Sequence, residues 1–479
     1  MFFYLLPASA QAALISYQTS RLSEKILLIV EATSAVIALP ALAQGVLPLI
    51  EAFRGNGIGS MQRSDYVGVF LTLAPTSLFL VIYIARKRWR DGILYRFSSQ
   101  NLLTGRPGKT LREEMVDASS GRIDDFAPEF GWTDPKLNAW IAKQSFTGAV
   151  LKYEIEGSYY SYRPTDGSEN KAQQLRTFAL NAKMKQNVKI FNGMKVRMAG
   201  DLFPGRTNAI PLQKTDYVSS LMSDQLAFHR IADENSGQVL SDGISSFLEH
   251  MNGDSGQKIY RLKSLSQADV SNQIGVSTIA FTKDGMIPFV VQTNKNAQSH
   301  GKLAPSGSGS LDWSDIYESS VNHDFWSLIR YGAARELLEE CGIGQRLDVE
   351  EFSRENVRIY AFARMIHRGG KPEFFAIALL PYTMRQLSEM KVFGSERAYS
   401  IRTRASDGPP IEAGTDIRAS IIQTCEFYSD ERNIHKIMQG AIALSYPLHH
   451  GLELLVEAAK DRQIGVEIAD FVKANLLAR

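Results

Sequence analysis

Three glutamates that fall on one face of a predicted helix are the residues of this chain best suited to chemistry. Glu336, Glu339 and Glu340 are spaced at i, i+3 and i+4 in a segment predicted to be helical from about Phe325 to Cys341. This spacing puts the three carboxylates on one side of the helix, where they repel one another. A hard cation such as Mg²⁺ would relieve that repulsion, because it prefers oxygen ligands. The pattern favours a metal site, and the alternative is a solvated acidic face.

The residues beside these glutamates are predicted to orient them and to end the helix. Arg335 lies four residues before Glu339 and can offset part of the repulsion. Gly342 is predicted to terminate the helix, because glycine readily takes the left-handed conformation common after a last turn. Apolar side chains on the opposite face are expected to pack into a core.

A glycine-rich segment before the helix is predicted to be a loop. Residues 306–310 read Ser-Gly-Ser-Gly-Ser, and backbone N–H groups of such a loop can bind phosphate. Gly307 and Gly309 are therefore candidate ligand-binding residues, and Arg368 is a candidate cation facing the same ligand. The alternatives are a bulged turn for the loop and a solvated hairpin tip for Arg368.

Two hairpins are predicted around these residues. The first joins strands at Ile274–Phe281 and Met286–Gln292, and the second joins Val357–Ile366 to Pro372–Leu380 through the turn Arg368-Gly-Gly370. The region before them is predicted to be α+β without a recognisable catalytic constellation. Its expected helices are Lys136–Lys143 and Lys171–Lys185, and its expected strands are Thr147–Glu156 and Asn187–Met198.

Two apolar segments near the N-terminus are predicted to cross a membrane. Ile26–Ile50 and Tyr66–Ala85 each reach the length of about 20 residues that a spanning helix needs. Basic residues flank the outer ends of the pair, which predicts two spans with both termini in the cytoplasm. Glu31 is the ionisable group inside the first span, so it is either a functional residue or a carboxylate close to the headgroups.

Composition excludes several classes of protein. The 479 residues carry a formal net charge of +2, which gives no argument for nucleic-acid binding. The two cysteines exclude a disulfide framework and a cysteine zinc site.

The string Arg-Glu-Leu-x-Glu-Glu-x-Gly-Ile at residues 335–343 resembles the second half of the Nudix box. The first half departs from the family pattern, because Gly309 and Asp315 match its glycine and acidic positions only if the following gap is 19 residues instead of 7. The resemblance implies that Glu336, Glu339 and Glu340 bind Mg²⁺, that Glu339 or Glu340 acts as base, and that Arg335 and Gly342 are structural. The altered first half puts turnover in question.

Two apolar spans precede a middle region and a Nudix-like domain that contains the loop Ser-Gly-Ser-Gly-Ser-Leu-Asp-Trp at residues 306–313. This arrangement resembles the two-transmembrane NUDIX effectors of bacterial CBASS anti-phage systems. That resemblance implies a homo-oligomeric protein of the inner membrane that binds a cyclic oligonucleotide from a cGAS/DncV-like nucleotidyltransferase. Its hairpins would then assemble in membrane lipid and disrupt it, causing abortive infection. The rival hypothesis is a membrane-anchored, Mg²⁺-dependent Nudix hydrolase of a nucleoside diphosphate derivative. A third is an anchored scaffold with an inactive Nudix fold.

The expected fold class is an N-terminal two-helix transmembrane hairpin, an α+β middle region and a C-terminal α/β Nudix-like domain with a mixed sheet between helices. We expect a cytoplasmic segment at residues 1–25, the hairpin at 26–85 and a basic juxtamembrane linker at 86–110. The middle region is expected at 111–265 and the Nudix-like domain at 266–479.

Overall fold

A computed structural model gives the architecture of a large part of the chain. It describes residues 95–98, 132–163, 172, 175–176, 179–180, 192–227, 230–233, 239–252, 258–291, 302–319, 323–344, 346–390, 409–412, 414–430, 432–433 and 443–477. The chain divides into two compact units, and the larger one comprises Ser98–Ala172, Ala179–Arg230 and Ser241–Arg479. The sites considered below belong to this larger unit.

The strands are short and are numbered here in chain order. They are β1 (Tyr95–Ser98), β2 (Lys152–Tyr159), β3 (Met194–Met198), β4 (Ala209–Asp216), β5 (Arg230–Asp233), β6 (Val239–Asp242), β7 (Leu248–Asn252), β8 (Lys258–Leu262), β9 (Gly275–Phe281), β10 (Val290–Val291), β11 (Lys302–Ala304), β12 (Gly307–Ser310), β13 (Val357–Met365), β14 (Lys371–Leu379) and β15 (Ala443–Leu444).

The α-helices are numbered in the same way. They are α1 (Pro135–Thr147), α2 (Tyr217–Met222), α3 (Gly243–Phe247), α4 (Asp315–Glu318), α5 (Phe325–Glu340), α6 (Val349–Asn356), α7 (Met384–Glu389), α8 (Ile417–Ser429), α9 (Tyr446–Lys460) and α10 (Ile464–Leu477).

A mixed four-stranded sheet in the order β12-β9-β14-β13 forms the centre of the larger unit. Strands β9 and β14 are parallel, whereas β12 and β13 each pair antiparallel at the two edges. All residues of β9 and β14 are buried, which is expected of strands covered on both faces.

Two hydrophobic clusters cover the two faces of this sheet. On one face, Val276 and Phe374 belong to the same buried cluster as Trp326 and Leu337 of α5. On the other face, Phe375 packs in a cluster with side chains of α8, α9 and α10. The acidic helix is thus held by its apolar side against one face of the sheet.

The middle region contributes to the first of these clusters. Leu137 of α1, Tyr153 of β2 and Val196 of β3 are buried with the α5 residues in one core. Strands β2, β3 and β4 form their own sheet in the order β2-β4-β3. The middle and C-terminal segments therefore share one hydrophobic core.

The expected fold class has to be corrected in its membrane part. Within the described ranges, no helix is both long and apolar enough to cross a membrane. The longest of them, α5, has 16 residues, or about 24 Å at 1.5 Å per residue, against a hydrocarbon core of about 30 Å. The described chain is a mixed α/β structure without a spanning helix. The predicted spans 26–50 and 66–85, together with Glu31, lie outside the described residues.

One predicted hairpin is present and the other is not. Strands β13 and β14 pair antiparallel across the turn that follows Arg368, which confirms the second hairpin. The first is wrong, because the chain turns at Thr282–Met286 but Val290 and Val291 pair with β11 instead of β9. The neighbours of β9 come from β12 and β14, which lie farther along the chain.

Candidate active site on helix α5

Helix α5 begins and ends with well-formed caps, which fix the register of its acidic face. The Asp324 carboxylate accepts hydrogen bonds from the backbone N–H groups of Trp326 and Ser327 at the N-terminus. At the other end Gly342 has φ 72° and donates its N–H to the Glu339 carbonyl at 3.1 Å. The predicted helix over Phe325–Cys341 is confirmed to within one residue.

Gly307 and Gly309 lie in strand β12 and not in a loop. A β-carbon on Gly309 would collide with the Glu336 carboxylate, and one on Gly307 would collide with the backbone of Leu337. The loop prediction is therefore wrong, because residues 307–310 form a strand. Glycine at positions 307 and 309 allows this strand to approach the helix closely. The N–H of Ser308 donates to Glu340 Oε2 at 2.9 Å, so the glutamate occupies the group that was predicted to bind phosphate.

Arg335 is the centre of an ion-pair network with four carboxylates. Its Nε lies 2.8 Å from Asp315 Oδ1, and its Nη1 lies 3.0 Å from Glu336 Oε1. Longer contacts of 3.4 Å and 3.7 Å join the guanidinium to Asp312 and Glu339. The Arg335 side chain is 12% exposed and that of Asp315 is 0% exposed, whereas Asp312 and Glu339 are 33% and 48% exposed. The network is therefore buried at Arg335 and Asp315 and open to solvent at its edge.

Burial changes the acidity of the groups in this network. The pKa of Glu336 is raised to about 7 because burial disfavours its charge more strongly than Arg335 favours it. The pKa of Asp315 is raised by burial as well, although Arg335 opposes this change. Burial works against the charge of Arg335, but Glu336 and Asp315 overcome it and raise the pKa of the guanidinium.

The three predicted metal ligands have the oxygen chemistry that suits Mg²⁺, and their contacts with the protein differ from one to the next. Glu336 is paired with Arg335, Glu340 accepts from Ser308, and Glu339 is 48% exposed. In the ranges that the structure describes, no group of three His, Cys, Asp or Glu side chains is placed to hold a metal ion. Two of these carboxylates contact β12, Glu336 by its close approach to Gly309 and Glu340 through the N–H of Ser308.

Arg368 belongs to a different set of charges. It follows β13 in a 3₁₀ turn. Burial raises the pKa of Asp224 and the Arg368 charge opposes that rise, whereas burial and Arg368 both lower the pKa of Lys371. Lys371 is buried with its Nζ 2.7 Å from Glu373 Oε2, and burial lowers its pKa to about 8. We find Arg368 beside this buried polar cluster and not among the charges that act on Glu336.

Several neighbours of α5 had no individual role predicted from the sequence, although Asp312 and Trp313 belong to the loop at residues 306–313 that carries part of the CBASS resemblance. Asp312 bridges Arg335 and Lys195, and Trp313 and Tyr317 lie beside it in the following segment. Lys195 comes from β3, so its place beside this segment depends on a pairing that no local pattern reveals. Asp315 was noted as an acidic position in the partial box, and the structure brings it to Arg335 across the 19 intervening residues.

A cavity elsewhere in the unit is smaller than a typical site for a drug-sized ligand. It has a volume of about 120 Å³ and is lined by residues of α1, β13 and α9, among them Asn138, Tyr360 and Leu454. Pockets for ligands of drug size are typically about 300–1,000 Å³.

Comparisons with known proteins add no assignment to this geometry. No protein-family model and no curated protein matches the chain. The function is therefore argued from the site itself.

Proposed function

We propose that this chain is the nucleotide-sensing effector of a CBASS anti-phage system. Its C-terminal region would bind a cyclic oligonucleotide made by a cGAS/DncV-like nucleotidyltransferase and would not hydrolyse it. Self-association and abortive infection are the expected consequences of binding. The predicted action on membrane lipid depends on residues 26–85, which lie outside the described ranges, and it is not part of the proposal.

The proposal rests on the observation that the glutamates of the acidic face already contact other groups of the protein. Arg335 contacts Glu336 and Glu339, and Ser308 donates to Glu340. A hydrolase of the Nudix type needs these carboxylates to act together on a metal and a water molecule. A receptor has no such requirement, so carboxylates that hold the helix in place favour recognition without turnover.

Calorimetry on the full chain tests the proposal. The protein is titrated with 3′,3′-cyclic GMP–AMP and related cyclic di- and trinucleotides in Mg²⁺ buffer. Release of phosphate-bond products from each nucleotide and from ADP-ribose is measured in parallel. We expect binding of at least one cyclic oligonucleotide without its hydrolysis. The double variant Glu339→Gln with Glu340→Gln should retain this binding, because neither residue is required as a metal ligand.

The opposite pattern would refute the proposal. It consists of Mg²⁺-dependent hydrolysis that the double variant abolishes, together with no binding of any cyclic oligonucleotide. Arg385→Ala provides a matched control, because this arginine forms an exposed i,i+4 pair with Glu389 on another helix. It should change neither binding nor hydrolysis.

The second candidate is a Nudix hydrolase with Mg²⁺ as cofactor. The placement of Glu336 directly against β12 favours it, since a strand with glycine at 309 leaves room for that carboxylate. This function would require Glu336 to ionise and Arg335 to release its partners. The same experiment distinguishes the two candidates.

A further inference from the structure

An aromatic and cationic patch lies beside the acidic helix. Tyr317 of α4 is 71% exposed, and its ring meets that of Trp313 edge to face, with 6.4 Å between the centroids. Trp313 is partly buried and packs against the core. Lys214 places its Nζ 5.6 Å from the centre of the Trp313 ring. We call these three residues the Trp313 patch.

Ion pairs tie this patch to the network of α5. Trp313 lies between Asp312 and Asp315 in sequence, and both of these carboxylates contact Arg335. Asp312 also pairs with Lys195 of β3. The backbone N–H of Trp313 donates to the Met194 carbonyl at 3.0 Å. The patch is therefore fixed at its base, although the Tyr317 ring is open to solvent.

Chemistry at the patch suits the base of a nucleotide. Nucleobases stack on exposed aromatic rings with little dependence on sequence, which contributes about 1–3 kcal/mol per base. An ammonium group at the edge of such a platform can meet a phosphate or a base carbonyl. A single exposed tyrosine needs no explanation, but one set against a fixed tryptophan and a lysine forms a platform of mixed aromatic and cationic character.

We propose that the Trp313 patch binds the nucleobase of the proposed nucleotide ligand, with Tyr317 as the stacking residue. The proposal rests on the proposed function in that the ligand is a nucleotide. It goes further by naming the part of the ligand that is recognised and the residues that recognise it. The acidic helix holds the patch in place through Arg335 and is not itself the base-binding surface.

The test compares a probe that has a base with one that does not. Full-length protein is titrated with 3′,3′-cyclic GMP–AMP, ADP and inorganic pyrophosphate in Mg²⁺ buffer. The variant Tyr317→Ala should weaken binding of both nucleotides about 5- to 140-fold, in line with the loss of one stacked base. It should leave any affinity for pyrophosphate unchanged. Tyr317→Phe should bind like the wild type, because it retains the ring.

A matched control uses another exposed aromatic residue. Phe203 is 56% exposed and lies outside the patch, so Phe203→Ala should leave every affinity unchanged. Urea unfolding of Tyr317→Ala should match the wild type, since an exposed ring contributes little to folding. Nucleotide binding at the patch should quench the fluorescence of Trp313, and Trp313→Phe should remove this quenching.

The outcomes separate the two proposals. Cyclic nucleotide binding that is unaffected by Tyr317→Ala would overturn the base subsite and leave the proposed function standing. Binding of ADP that depends on Tyr317, with no binding of any cyclic oligonucleotide, would overturn the proposed function and support the subsite. A wild-type protein that binds no nucleotide would refute both, and equal losses for nucleotides and pyrophosphate would show damage to the site instead of a base contact.

Discussion

At the scale of single residues, Arg335 holds the candidate site together. The guanidinium is the partner of Asp315, a carboxylate whose side chain is fully buried. A buried charge that loses its partner is far more costly than an exposed one, because water cannot replace the lost interaction. The contacts between Arg335 and the acidic residues around it are consequently expected to stabilise the fold.

Replacing Arg335 by alanine should therefore destabilise the protein strongly. We expect a loss of about 3–5 kcal/mol in the free energy of unfolding, the usual range when one member of a buried pair is removed. Urea denaturation measures it. Arg385→Ala removes an exposed arginine from a similar i,i+4 pair and should leave the free energy of unfolding unchanged. Equal effects of the two substitutions would contradict a buried network.

Glu336 should make stability depend on pH in a defined window. Its pKa is about 7 in the folded chain and 4.5 as the reference value for the unfolded chain. Between these values the folded state keeps a proton that the unfolded state has lost, so stability falls as the pH rises. The stabilisation from this proton is fully present below pH about 4.5 and is lost above pH about 7.

The variant Glu336→Gln isolates this effect, because it removes the titrating group and keeps the shape. The free energy of unfolding of the wild type minus that of the variant should fall by up to about 3 kcal/mol from pH 4.5 to pH 7.5. Chemical denaturation across that range gives the difference. A difference that stays constant with pH would show that Glu336 titrates at its ordinary value.

At the scale of elements, the close approach of β12 to α5 positions the acidic face. Helix α5 was predictable from sequence, because its capping residues and apolar periodicity are local signals. Strand β12 was not, because glycine and serine have a low preference for strands. The strand forms by pairing with β9, and its two glycines let it approach Leu337 and Glu336 about 30 residues farther along.

Alanine substitutions at Gly307 and Gly309 should differ in their effect on stability, because Gly307 lies against backbone atoms of Leu337 and Gly309 lies against the side chain of Glu336. Gly307→Ala and Gly309→Ala should each destabilise the protein by about 1–3 kcal/mol, as overpacking does. Gly307→Ala should have the larger effect, since the backbone of Leu337 cannot move aside. Gly157→Ala in β2 meets nothing within 4 Å and serves as the control. Equal unfolding midpoints for all three variants would contradict the contact.

At the scale of the whole molecule, one hydrophobic core contains residues of both the middle region and the C-terminal domain, which the sequence predicted as separate parts. The C-terminal hairpin was predictable because its strands are adjacent in the chain, and the helix was predictable from its periodicity. The packing of Leu137 and Val196 against Trp326 was not, because it joins residues more than 100 positions apart. The expected membrane-spanning fold was wrong for the described chain, whose helices are too short or too polar to span.

A fragment that begins at residue 266 should consequently fail to fold on its own. It lacks α1 and β2–β4, whose apolar side chains fill the core on the α5 face of the sheet. We expect a fragment of residues 266–479 to unfold without a cooperative transition in circular dichroism, whereas a fragment of residues 132–479 should unfold cooperatively. Cooperative unfolding of the shorter fragment at the same midpoint would contradict a shared core.

A calorimetric titration of the full-length protein with cyclic oligonucleotides in Mg²⁺ buffer, followed by analysis of the recovered nucleotide, tests whether the chain binds such a ligand without hydrolysing it. We expect saturable binding of one of them, its recovery intact, and the same affinity in the Glu339→Gln, Glu340→Gln double variant. Hydrolysis of a nucleotide that disappears in this variant, without binding of any cyclic oligonucleotide, would contradict it.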